Sequence, residues 1–151
     1  MNSSIKDLIL ILLVSLIGIT SFGQELTTKI ATNIKHGNIE ELEKFTSPEL
    51  INKCIGVADS KKYNYLTISI KLKSMKSLKF FIEKGANIEN ICADKTPLMY
   101  AAKYGQFEMV KYLVEKGADL NASYRGKKAN DYARQFNHFK ISKYLRELRN
   151  N

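Results

Sequence analysis

TPLMYAAKYGQFEMVKYLVEKGADLNA, Thr96 to Ala122, is the stretch from which the rest of the chain is read. Thr96 offers a hydroxyl to cap a helix, and Pro97 suits a first helical position, where the missing N–H costs nothing. Ala101 and Ala102 are small, as a helix packed closely between neighbours requires. Gly105 then permits a left-handed turn. Met109, Val110, Leu113 and Val114 fall at helical spacing and make one apolar stripe of a second helix. Gly117 stops that helix. The segment therefore reads as helix, turn, helix and glycine stop, with Asp119 and Asn121 leading into a hairpin-like finger.

The neighbouring sequence repeats this plan. Residues 69–88 match 101–120 at an offset of 32, sharing Glu-Lys-Gly-Ala and pairing Met75 with Phe107, Leu78 with Val110 and Phe81 with Leu113. The same offset carries forward to residues 129–133 and on to Phe139, Ile141 and Leu145. Backward, residues 33–45 match 101–113 at an offset of 68, four more than two periods. The surplus falls between Phe45 and Tyr63, where Ser47-Pro48 and Asp59-Ser60-Lys61-Lys62 break the pattern. There Ser47 is placed to cap a short extra helix running to about Cys54.

A self-similar period near 33 residues marks a stacked repeat. These residues resemble the ankyrin-repeat family, and the resemblance covers nearly all of residues 25–148. It implies an all-α solenoid of about four helix-turn-helix units with short fingers, at 25–46, 63–85, 96–117 and 128–149, after a leader over 1–23 and within a domain of 24–151. Departures from the family pattern are visible. Asn64-Tyr65-Leu66-Thr67 replaces Thr-Pro-Leu-His in the second unit, with Asn64 still able to cap. Lys73 replaces the turn glycine, at a cost of about 1–2 kcal/mol if it must be left-handed. Met99 stands where the family has histidine, and the fingers after Gly85 and Gly117 are each one residue short. The end units carry polar faces, as terminal repeats must.

The first 23 residues read as a leader to be set apart from the fold. Leu8 to Ile19 is uncharged, too short for the roughly 20 residues of a spanning helix. Ser21-Phe22-Gly23 places small residues for cleavage before Gln24, and the ending resembles bacterial signal peptides. The expectation is an exported, periplasmic or secreted protein with no stable membrane span after cleavage, an uncleaved anchor being the rival. Two cysteines remain, Cys54 and Cys92. Export permits their oxidation. Both read as following outer helices of neighbouring units, however. Such equivalent points lie about 10 Å apart, against the roughly 7 Å limit between Cα atoms of a disulfide. Half-buried thiols are the expectation on that reading, and a bridge remains the alternative.

The chain carries a formal charge of +9, concentrated in two blocks. Residues 60–84 hold seven Lys against one Glu, and 125–149 hold eight Lys or Arg against two acids. Basic residues interleaved with apolar ones at helical spacing read first as a solvated face and second as a surface for an acidic partner. No zincin, nucleophile-elbow or phosphate-loop pattern occurs. His36 and His138 are too few and too scattered for a metal site or triad. An enzyme, a cofactor and a nucleic-acid partner are all unsupported.

The function implied by the resemblance is a monomeric, non-catalytic module that binds a protein, acidic by charge, through a concave face and its fingers. Inhibition or immunity toward an exported toxin is one form of this. The residues expected to make contact are Asp94, Lys95, Met99, Lys103, Tyr104, Tyr124, Arg125 and Lys128. Lys95 and Lys103 would steer, and Tyr104 and Tyr124 would supply buried rings, as tyrosine does at interface hot spots. Tyr100 and Tyr132 read equally well as filler between helices. The alternative is an envelope-associated protein that holds anionic lipid or glycan on its basic blocks.

Overall fold

A computed structural model describes residues 28–44, 46–57 and 61–150. The proposed leader and its cleavage point lie outside the described residues. The chain divides into two compact units, 1–32 and 33–151. The described part of the first, 28–32, is helical. No described helix is long and apolar enough to cross a membrane.

The order of elements is a series of helix pairs. Helix α1 covers residues 28–36, followed by α2 (Ile39–Glu43), α3 (Pro48–Ile51), strands β1 (Ile55–Val57) and β2 (Lys61–Tyr63), then α4 (Tyr65–Lys71) and α5 (Met75–Glu83). The pairs α6 (Pro97–Lys103) with α7 (Phe107–Glu115), and α8 (Ala129–Gln135) with α9 (Phe139–Asn150), complete it. The fold is an all-α repeat solenoid. Within the larger unit, α6 packs between α4 and α8 as the middle inner helix.

The starts of the inner helices follow from their caps. The Asn64 carboxamide oxygen accepts from the Thr67 N–H at 2.8 Å, and the Thr96 hydroxyl accepts from the Met99 N–H at 3.3 Å. Lys128 occupies the same place in the last unit, where the Asp131 carboxylate accepts from the Lys128 N–H at 2.9 Å.

The ends of the inner helices are alike four times over. Gly37, Lys73, Gly105 and Asn137 have φ of 65°, 59°, 71° and 60°. After each, the next amide donates back across the helix end: Asn38 to the Asn33 carbonyl at 3.0 Å, Ser74 to Ser69 at 3.0 Å, Gln106 to Ala101 at 3.0 Å and His138 to Ala133 at 2.8 Å. This is the Schellman closure, which satisfies carbonyls that the helix leaves open. Lys73 is therefore left-handed, as its place in the repeat demands.

Side-chain hydrogen bonds join successive pairs. The Ser77 hydroxyl donates to the Ile34 carbonyl at 2.7 Å, and the Gln106 carboxamide to the Ile70 carbonyl. His138 Nε2 lies 3.1 Å from the Lys103 carbonyl. Each time an inner helix's terminal carbonyl meets a side chain of the following unit.

The core lies between inner and outer helices. Leu66, Ile70, Leu78, Phe81, Leu98, Ala101, Ala102, Val110 and Leu113 are completely buried. Each large aliphatic side chain removed from water contributes about 1.5–3 kcal/mol. Val114, read as part of the buried stripe, is only half-buried. Met99 is buried too, at 1% exposure, so it belongs to the core and offers nothing to a partner. The helix has no room to turn that position outward, because α6 is packed between α4 and α8.

The surplus segment corrects two expectations. Its helix stops at Ile51, and Ser47 sits at the cap position without a side-chain cap bond. Cys54 then leads into the β1–β2 hairpin, paired Ile55 to Tyr63, Gly56 to Lys62 and Val57 to Lys61. Cys54 and Cys92 form a disulfide, with Cα atoms 5.4 Å apart. The repeat-spacing argument fails because Cys54 does not follow an outer helix. It lies in a segment that folds back over the finger after α5. There Asn52 Oδ1 accepts from the Asn87 N–H at 2.8 Å, and the Asn90 carboxamide donates to the Asn52 carbonyl at 2.7 Å.

Candidate functional site

Five parts of the larger unit meet around a cavity of about 340 Å³. Tyr63 comes from the end of β2 and Lys71 from the end of α4. Ala93, Asp94 and Lys95 come from the finger that precedes α6, and Tyr100, Lys103 and Tyr104 from α6 and its cap. Tyr124 and Arg125 come from the following finger. That finger is a tight hairpin: Tyr124 bridges Lys127, and Arg125 and Gly126 have φ of 50° and 74°. Positive φ at both central residues matches the twist of paired strands.

The tyrosine rings form a chain across the cavity wall. Tyr63 meets Tyr100 edge to face at 5.8 Å, and Tyr100 stacks on Tyr104 at 6.2 Å with 15° between planes. These offset and T-shaped contacts are the arrangements that the ring quadrupole favours.

Asp94 holds the floor of the site. The Tyr100 hydroxyl donates to Oδ1 at 2.6 Å, and the Lys95 ammonium donates to Oδ2. Burial alone would raise the Asp94 carboxyl. The hydrogen bonds from Lys95 and Tyr100, with the charges of Lys95 and Lys103, outweigh burial and hold it below its ordinary value. Tyr100 is pushed well above the ordinary phenol value, first by burial, then by its bond to Asp94 and that residue's charge, with Tyr63 adding to the shift.

The lysines divide into two kinds. Lys95 is enclosed, its side chain only 10% exposed. Its ammonium lies 5.5, 5.9 and 5.1 Å from the ring centres of Tyr100, Tyr124 and Tyr132. Committed to Asp94 and caged by three rings, it holds the finger against α6 and is not free to steer a partner. Lys71, Lys103 and Arg125 differ. They form no ion pair among the described residues, and each rests over a ring: Lys71 at 3.9 Å from Tyr63, Lys103 at 5.6 Å from Tyr104 and Arg125 at 5.3 Å from Tyr124.

Of the eight residues expected at the contact, the cavity gathers Asp94, Lys95, Lys103, Tyr104, Tyr124 and Arg125. Met99 does not line it and is buried in the core. Lys128 does not line it, and its ammonium donates instead to the Asn121 carboxamide oxygen at 3.0 Å. Sequence reasoning passes over Tyr63 and Lys71 as site residues and leaves Tyr100 undecided between filler and contact. A signal for two of them exists, because at an offset of 32 Lys71 is the counterpart of Lys103 and Tyr63 of Lys95. Tyr100 is buried at 4% exposure and also forms part of the cavity wall.

Among the described residues, no group of three or more His, Cys, Asp or Glu is placed to hold a metal. A family model described as ankyrin repeats (3 copies) matches residues 66–151. No curated protein matches the chain.

Proposed function

The chain belongs to the ankyrin-repeat family, and from that premise we propose that it grips an acidic protein partner at the cavity between its fingers, as a non-catalytic inhibitor or immunity-type module. Ankyrin repeats are generally protein–protein interaction modules and typically non-catalytic. The observation that carries the reading is the convergence of four tyrosines and three cations without ion pairs on one cavity. Aromatic and cationic side chains in a partly desolvated recess are the usual anchors of an interface. Its site of action is outside the reducing cytoplasm, a reading supported by the Cys54–Cys92 bond, since disulfides persist in oxidising compartments.

The lipid or glycan reading has less behind it. On α9, Lys143 lies 3.9 Å from Glu147 and Lys140 rests 4.0 Å from the Phe107 ring, so two of its cations are engaged within the protein.

The test is a Tyr104→Ala, Tyr124→Ala double variant. Both side chains are half-buried, so thermal stability should change little while capture of partner from the native periplasm or medium falls at least tenfold. Capture that is unchanged, or a double variant that unfolds, removes the rings from the contact. Capture that survives in moderate salt favours a mainly apolar interface over charge-driven surface binding.

A further inference from the structure

We propose that the cavity is a socket for one carboxylate, the side chain of a single Glu or Asp presented on an extended segment of the partner. The proposal rests on the binding-module reading above and narrows it to a chemical group. Three observations point to that group.

The first is the local imbalance of charge. Lys71, Lys95, Lys103 and Arg125 line the cavity, and Asp94 is the one carboxylate among its lining residues. Each Asp94 oxygen already accepts a bond, one from Tyr100 and the other from Lys95. Lys71, Lys103 and Arg125 form no ion pair among the described residues and rest over aromatic rings, Lys103 over both Tyr104 and Phe136, with the Asp94 charge felt by Lys103 but not bonded to it. A ring face attracts a cation but neutralises no charge. An incoming carboxylate would supply the missing anion and could take paired bonds from the Arg125 fork.

The second is the set of idle donors. The Tyr104 and Tyr124 hydroxyls make no hydrogen bond among the described residues, although both residues line the cavity and both are half-buried. Hydroxyls of this kind accept or donate, and an ionised carboxylate only accepts. The two phenols and the three cations are thus all donors lining one cavity.

The third is size. A cavity of about 340 Å³ lies at the small end of ligand sites, which span about 300–1,000 Å³. It accommodates a side chain and ordered water, and excludes a folded element. Four cations against one carboxylate attract a dianion as well as a monoanion, so phosphate is the competing anion that the titration must exclude.

The experiment uses the full, oxidised chain and records amide shifts of Lys103, Tyr104, Tyr124 and Arg125 during titration. The probes are an acetylated and amidated Gly-Tyr-Glu-Gly peptide, its Gln counterpart, an acetylated Gly-Tyr-Gly-Gly peptide with a free carboxyl terminus, and inorganic phosphate. The Glu peptide should bind at least fivefold more tightly than the Gln peptide and more tightly than the free-terminus peptide or phosphate. Lys103→Gln with Arg125→Gln should erase the difference between the Glu and Gln peptides. Arg125 is exposed, so the single Arg125→Gln variant, expected to lose at least half of that preference, carries the test if the double variant folds poorly. Equal binding of the Glu and Gln peptides overturns the carboxylate assignment while leaving the rings as a contact. Tighter binding of phosphate or of the free terminus overturns it in favour of that anion. Absence of shifts at all four residues also overturns it, and the tyrosine double variant then reports on the module reading separately.

Discussion

Cys54 and Cys92 are bonded across 38 residues of chain, and the two segments they join both reach the cavity. Cys54 precedes the hairpin that ends in Tyr63, and Cys92 precedes Ala93-Asp94-Lys95. Closing a loop of this length is worth about 4 kcal/mol on the chain-entropy model. Replacing both cysteines by serine, or adding reductant, should lower stability by about 2–4 kcal/mol. The amide signals of Tyr63 and Asp94 should move more than those of α9. Thiol titration of the unfolded, unreduced protein should find no free thiol; two would show that the bond is not formed.

Lys73 holds a left-handed conformation that glycine occupies at Gly37 and Gly105. Its side chain is exposed. A lysine there costs about 1–2 kcal/mol in strain, against about 0.4–1 kcal/mol of unfolded-chain freedom that glycine adds. Lys73→Gly should therefore stabilise the protein by about 0.5–1 kcal/mol. Gly105→Ala should act the other way. Its φ is +71°, and an added Cβ would lie 2.5 Å from His138 Cε1. Strain and displacement of the imidazole together should cost about 2–4 kcal/mol. Urea midpoints at unchanged slope measure both.

Tyr65 and Tyr100 are both held above the ordinary phenol value, Tyr65 by burial and Tyr100 by burial and Asp94. A phenol raised in the fold keeps a proton that the unfolded chain gives up near pH 10. The folded state then binds more protons, so stability falls as pH rises above about 10. Phenolate absorbance at 295 nm should lag behind that of the denatured chain until the protein unfolds. Asp94→Asn should bring Tyr100 ionisation to lower pH, because it removes the carboxylate charge that opposes it. An unchanged titration curve would show that Asp94 does not hold the Tyr100 proton.

Much of the fold could be read because single residues announce local geometry. Thr96 and Asn64 mark helix starts by their capping oxygens, and Gly37 and Gly105 mark left-handed stops. Asn137 carries the same stop without glycine, and only the offset of 32 from Gly105 reveals it. The disulfide was not legible for a related reason. Spacing within a repeat places only residues that obey the repeat, and Cys54 lies in the surplus segment outside it. The site was legible in part. Lys103, Tyr104, Tyr124 and Arg125 stand out as polar or aromatic residues beside a well-kept motif. Met99 looked like them because it departs from the family pattern, yet its departure fills a buried space. Lys95 was legible as a charge but not as an enclosed one, since enclosure depends on Tyr124 and Tyr132 from later in the chain.

The joints from Ser77 to Ile34, Gln106 to Ile70 and His138 to Lys103 run in one sense: the earlier unit offers a carbonyl and the later one a side chain. An interior unit thus carries one half of each of two joints. A copying event that doubled a whole 32-residue unit would duplicate both halves together, and the array could lengthen without stranding a polar group inside it. A shorter gain cannot do this and must be accommodated between joints. The four surplus residues before Tyr63 fall in such a place, where a hairpin and a disulfide now occupy the gap. Lengthening by whole units keeps every such joint paired, and odd lengths can be taken up only between joints.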